Sequence, residues 1–175
     1  MPSESDSSQL RKILTVCVCL LVIGGAAFFI FRLMQPRQEP IPNAYFFDLN
    51  TKKIFVDTAS KFAPFTTASG PFENEPAGVR VFLFSCSPCP NFDGKTLEEA
   101  QALGATVGWL ERYNAEAKAK LEAGDRNPEV LIEGLQMRTP NGTRWQSPGT
   151  RESLTIRDAV ARLCAGLPGK VCNPD

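Results

Sequence analysis

Two cysteines three apart, Cys86-Ser87-Pro88-Cys89, follow the most strand-like run of the chain, and two more stand at Cys164 and Cys172. The 175 residues contain no histidine. That absence removes Ser-His-Asp and Cys-His nucleophiles, H-E-x-x-H zinc sites and histidine proton shuttles. Three chemistries remain for four thiols at this spacing. In the first, Cys86 is a nucleophile and Cys89 resolves, which needs a depressed thiol pKa. In the second, Cys86, Cys89, Cys164 and Cys172 hold structural zinc as four thiolates. The C-x2-C pair suits a zinc knuckle, but the C-x7-C spacing of the second pair exceeds the usual gap. In the third, the same four residues form structural disulfides, and this reading is favoured. A bridge from the 86–89 turn to Cys164 or Cys172 would close a loop of about 75–85 residues, stabilising by about 2–4 kcal/mol. Four cysteines allow three pairings, and sequence alone does not choose among them.

A strand followed by C-x-P-C resembles the thioredoxin-like oxidoreductases over about ten residues, which implies exchange chemistry at Cys86 and Cys89. The departures are specific. No aromatic residue directly precedes Cys86, and Pro90-Asn91-Phe92-Asp93-Gly94 separates Cys89 from the helix-start signal at Thr96. A helix dipole fades within about one turn. Pro140 is the candidate for the family's cis-proline, yet Asn141-Gly142 follows at once and reads as a hairpin turn. Elsewhere, Glu98 with Glu99 and Glu111 with Glu116 are conceivable carboxylate pairs, read here as solvated helix faces. Trp109 and Tyr113 share one helix face at i,i+4 and read as core or near-core residues, not as a ligand platform. Asn141-Gly142-Thr143 matches a glycosylation sequon but serves equally as a turn.

The elements that must position the thiols begin after a membrane signal. Residues 13–31 run for nineteen positions without charge or proline, between Arg11-Lys12 and Arg32. As a helix they span about 28 Å, close to a bilayer's hydrocarbon thickness. A cleaved signal peptide usually has a shorter apolar core ending in a small-x-small site. Here Gly24-Gly25-Ala26-Ala27 is followed by Phe28-Phe29-Ile30-Phe31, which prolongs the apolar run. The reading is therefore a tail at 1–12, a transmembrane helix at 13–34 and a proline-rich linker at 35–43. An extracytoplasmic α+β domain follows at 44–175. Basic residues nearly tie across the span, so the short polar tail sets the orientation, with the domain outside the cytoplasm. An even number of domain cysteines agrees with an oxidising compartment.

Within the domain, Tyr45, Phe47 and Leu49 alternate as one strand, Asn50–Lys53 turns, and Ile54-Phe55-Val56 returns as a hairpin. Residues 57–78 read as a long loop pinned by Phe62, Phe65 and Phe72. Val79 to Phe84 is apolar on both faces apart from Arg80, so it should be a central, covered strand. Thr96 and Glu99 form a capping box. Leu103, Val107, Leu110, Ala117 and Leu121 then follow at helical spacing, broken near Gly104 and Gly108 and ended at Gly124. Val130 to Met137 reads as a strand, and Thr139–Gly142 as a turn with Thr143–Trp145 returning. Ile156, Val160, Leu163, Cys164 and Leu167 line a last helix. The expected class is α+β: a small, mostly antiparallel sheet with two or three packed helices.

Nineteen basic residues balance nineteen acidic ones, which gives no electrostatic hold on nucleic acid. The expected partners are the lipid bilayer, through residues 13–34, and an envelope protein. No cofactor is expected. The runs Tyr45–Val56, Gly78–Cys86 and Gly108–Tyr113, with Glu116-Ala117-Lys118, are similar to those of short membrane-anchored proteins of bacteria. Those proteins pair one N-terminal span with one small ectodomain. The resemblance implies a bacterial envelope protein and carries no activity or site residues, so the chain reads as a binding or structural module more than as an enzyme.

Overall fold

The run Gly78–Ser85 forms β5, the strand on which the rest of the domain is assembled. Val79 and Leu83 are wholly buried, and Val81 and Phe84 nearly so. In this computed structural model the described residues are 42–165 and 167–174, with Leu21 and Gly25. The chain divides into two units, Met1–Pro40 and Ile41–Asp175. The expected tail at 1–12, span at 13–34 and most of the linker lie outside the described residues. Among the described residues, no helix is long and apolar enough to cross a membrane.

The strands are β1 (Asn43–Asp48), β2 (Ile54–Thr58), β3 (Pro71–Phe72), β4 (Glu75–Pro76), β5, β6 (Thr106–Tyr113), β7 (Leu135–Arg138) and β8 (Lys170–Val171). The helices are α1 (Leu97–Ala102), α2 (Ala115–Glu122), α3 (Pro128–Glu133) and α4 (Arg151–Ala161). The main sheet runs β2-β1-β5-β6-β7, with β8 pairing to the end of β5, and every pairing is antiparallel. The expected class, α+β with an antiparallel sheet and a few helices, is what forms.

One sheet face carries Phe47, Ile54, Val79, Val81, Leu83 and Leu110, covered by Phe92 and by Leu97 and Ala100 of α1. The hairpin expected at 45–56 is present, with Phe47 opposite Ile54. Its alternation is not the half-exposed kind, because Phe46 is as buried as its neighbours. Phe46 lies on the opposite face, stacked on Phe55 and met edge-on by Phe65 at 5.0 Å. The 57–78 loop thus returns to cover the second face of β1. Both outer edges of the sheet are closed. Ile54 donates to the Lys95 carbonyl, Val56 to the Asp93 carboxylate, and Met137 and Gln146 exchange backbone bonds. At these positions the edges offer no template for another strand.

Three expectations are corrected. The helical reading of 103–121 fails over its first half: α1 ends at Ala102, Gly104 takes a φ of +91°, and Thr106–Tyr113 is strand β6. β-branched and aromatic residues (Thr106, Val107, Trp109, Tyr113) suit a pleated surface, and β5 supplies the pairing that decides. Gly108 does not break a helix. It is the unpaired residue where the register shifts between Phe82–Trp109 and Leu83–Val107. A Cβ there would lie 2.5 Å from the Phe84 ring. The strand expected from Val130 starts only at Leu135, because Asn127 caps and Pro128 opens α3. Proline at the first helical turn loses no bond that the helix would have made. Finally, α4 ends at Ala161, so Leu163, Cys164 and Leu167 lie beyond the helix, and Leu167 is 68% exposed.

Candidate functional site

β5 delivers the cysteine turn. Its last residue, Ser85, is buried, and the Ser85 hydroxyl accepts the Ser87 amide at 3.2 Å, bending the chain out of the sheet. Cys86, Ser87 and Pro88 are exposed, while Cys89 turns back and is half-buried against the core. Proline on either side of Cys89 keeps the segment extended. Past the turn, Tyr45 meets Phe92 edge-on, and the Tyr45 hydroxyl accepts the Phe92 amide at 3.3 Å.

All four domain cysteines are joined in pairs. Cys86 bonds Cys164, with 5.4 Å between Cα atoms and a sequence separation of 78. Cys89 bonds Cys172, with 5.6 Å between Cα atoms and a separation of 83. Of the three pairings open from the sequence, this one ties each end of the turn to the C-terminal segment. Cys172 is buried, and its amide donates to the Leu83 carbonyl at 2.8 Å, so a hydrogen bond holds to β5 the same residue that the disulfide ties to the turn beyond it. A two-residue strand such as β8 has little stability of its own. The two bridges hold it in place.

The geometry bears on the other two thiol chemistries. Cys86 and Cys89 are not bonded to each other. At the α1 N-terminus two donors are already taken: the Glu99 carboxylate accepts the Thr96 amide at 2.8 Å, and the Thr96 hydroxyl accepts the Glu99 amide at 3.2 Å. A sulfur in a disulfide is not a thiolate ligand, and among the described residues no group of three or more Cys, Asp or Glu is placed to hold a metal ion. The peptide bond before Pro140 is not cis; the only cis bond among the described residues is Ala63-Pro64.

Beside the second bridge lies an open cleft of about 610 Å³, lined by Tyr45, Val56, Cys89, Asp93 and Lys170 among others. Its polar groups serve the fold. Asp93 accepts the Val56 amide at 3.2 Å, and Asn91 accepts the Asp93 amide at 2.9 Å.

The carboxylate pairs considered from sequence do not assemble. Glu98 and Glu99 are exposed at the start of α1. Glu111 is on β6 and Glu116 on α2, so the shared helix face does not exist. Glu111 pairs across the strands with Arg80. Burial pushes its carboxyl above the ordinary glutamate range, against the opposing pull of Arg80 and Arg157. Trp109 and Tyr113 lie on one face of a strand, with Trp109 stacked on Phe82 at 4.9 Å.

One cluster escaped the sequence reading. Arg112 and Arg138 both lie over the Trp145 ring, at 4.4 and 4.5 Å from its centre. The signal that could have found it is the placement of Arg112 and Arg138 on neighbouring strands, which required β6 to be read as a strand. Compared with protein-family models, with curated proteins and with solved structures, the chain matches none.

Proposed function

We propose that this chain is a single-pass membrane-anchored protein of a bacterial envelope. Its extracytoplasmic α+β domain, residues 44–175, is a non-catalytic binding or structural module stapled by cysteines. The observation that carries the non-catalytic reading is the long-range pairing of all four domain cysteines, which leaves no free thiol in the one constellation with evident chemistry. Oxidised pairs of this kind suit a periplasm-facing domain. Support for the anchor comes from sequence: nineteen uncharged residues at 13–31, followed by a proline-rich linker. The bilayer would be met through residues 13–34, and an envelope protein is the expected partner.

The competing reading is a membrane-tethered thiol–disulfide oxidoreductase using Cys86 and Cys89. It has one observation on its side, the exposure of Cys86 at the tip of the turn. A single preparation decides. Full-length protein purified without reductant is assayed for free thiols, bridges and zinc. Bridges 86–164 and 89–172 that resist mild dithiol support the module. A readily reduced 86–89 bridge supports the oxidoreductase, and stoichiometric zinc refutes both. A reporter active only in the cytoplasm, fused after Asp175, should be silent. Activity there would overturn the orientation.

A further inference from the structure

Arg112 leaves the sheet beside the small β3–β4 hairpin, in a cleft of about 500 Å³ that includes Glu75, Pro76, Tyr113, Lys118 and Gln136 in its lining. The guanidinium is fixed from three sides. Its ring contact is Trp145, its Nε donates to the Gln136 side chain at 2.9 Å, and an Nη1 proton goes to the Glu75 carboxylate. Among the described residues these are its two hydrogen bonds, out of the five N–H donors that an arginine carries. The side chain is only 14% exposed, whereas its partner Glu75 is 58% exposed. A second guanidinium, Arg138, lies over the same indole, and its Nε is buried with no hydrogen-bond partner among the described residues. In the cleft lining Arg112 and Lys118 face Glu75 and Glu122, so a ligand carboxylate would take the place of a resident one.

The segment that brings Glu75 to Arg112 is slight. β3 and β4 make two residue pairs, Pro71–Pro76 and Phe72–Glu75. The turn between them places both Glu73 and Asn74 at positive φ, +49° and +66°. Two such residues are what a tight hairpin of this hand requires, and Asn-Gly is its favoured sequence. A glutamate in the left-handed region is strained, because its Cβ crowds the following carbonyl. The contact is thus a largely buried, pre-oriented arginine neutralised by an exposed carboxylate on a strained two-pair hairpin.

We propose that this cleft is a binding site for a small organic carboxylate with an apolar body, anchored on Arg112, in which Glu75 is a resident carboxylate that the ligand displaces. Arginine's planar fork accepts a carboxylate bidentately, and prior stacking and hydrogen bonding lower the ordering cost of doing so. The cleft has the size of a small-molecule site. Pro64, Pro76, Tyr113, Ala115 and Ala119 offer the apolar wall, and Lys118 sits at the rim, paired to Glu122 at 3.3 Å. The cleft is separate from the cysteine turn, and the proposal stands whether or not the chain is anchored.

The test uses the full-length chain titrated with 3-phenylpropionate and with 3-phenylpropionamide, read by calorimetry and by the arginine Nε resonances in ¹⁵N spectra. The acid is expected to bind at least about tenfold more tightly than the amide and to shift the Arg112 Nε resonance, as a charge-assisted hydrogen bond would require. Glu75→Gln removes the internal competitor from an exposed position and is expected to tighten acid binding about fivefold, the worth of an exposed ion pair. Arg112→Lys, which keeps the charge but loses the fork, is expected to weaken it. Equal binding of acid and amide would overturn the proposal. So would an affinity unchanged by Glu75→Gln, or no acid binding by that variant at millimolar concentration.

Discussion

Cys89 and Cys172 are 83 residues apart in sequence and 5.6 Å apart at Cα, and the bond between them fixes the C-terminal segment to the turn that leaves the central strand. Because the Cys172 amide also donates to Leu83, the residue is an anchor twice over. Local sequence has little to hold β8 there: Lys170 and Val171 are both exposed.

Removing this bridge as Cys89→Ala with Cys172→Ala should lower stability by about 2–4 kcal/mol. The Cys86–Cys164 bridge closes a similar loop, but its removal loses less buried contact, since Cys86 is exposed and Cys172 is 4% exposed. Urea unfolding of the two double variants should rank 89/172 as the more damaging. A reversed order would show that the terminal strand is held by something other than its bridge.

Gly108 should tolerate no side chain. An alanine Cβ would meet the Phe84 ring at 2.5 Å, where the register of β5 and β6 shifts. Gly108→Ala is expected to cost about 1–3 kcal/mol through overpacking. Gly94→Ala is a useful comparison, because nothing lies within 4 Å of its Cβ and its penalty comes only from a φ of +74°.

The capping box at the start of α1 should be worth a measurable amount on its own. Thr96→Ala removes the acceptor for the Glu99 amide and is expected to cost about 1 kcal/mol of stability, read from denaturant unfolding. Thr96→Ser keeps the hydroxyl and should recover most of it.

Acid sensitivity should be traceable in part to Asp48. Burial raises its pKa, but the Ser69 hydroxyl and the Thr51 and Asn50 amides outweigh that and hold the carboxyl below the ordinary aspartate range. A depressed folded-state pKa means stability that is present above the unfolded value, near 3.8, and lost as pH falls through the folded one. Asp48→Asn should therefore narrow the stability gap between pH 6 and pH 3, measured by thermal melts across that range. An unchanged slope would place the acid response in other carboxylates.

Short-range chemistry was legible in the sequence. The Thr96–Glu99 box, the hairpin between Tyr45 and Val56, the centrality of Val79–Phe84 and the oxidised thiols could all be read there. Each rests on residues a few positions apart, or on apolarity that has only one outlet. The segment 106–113 was different. Its apolar positions match a helix nearly as well as a strand, and pairing with β5 settles the choice. The pairing of β6 with β7 then aligns Arg112 with Gln136, so the cleft at Glu75 exists only once the sheet has formed. The partners of Cys86 and Cys89 were undetermined for the same reason. Four equivalent thiols carry no local mark of which will meet. Only the return of the chain past α4, with Cys164 beside Cys86 and Cys172 beside Leu83, decides it.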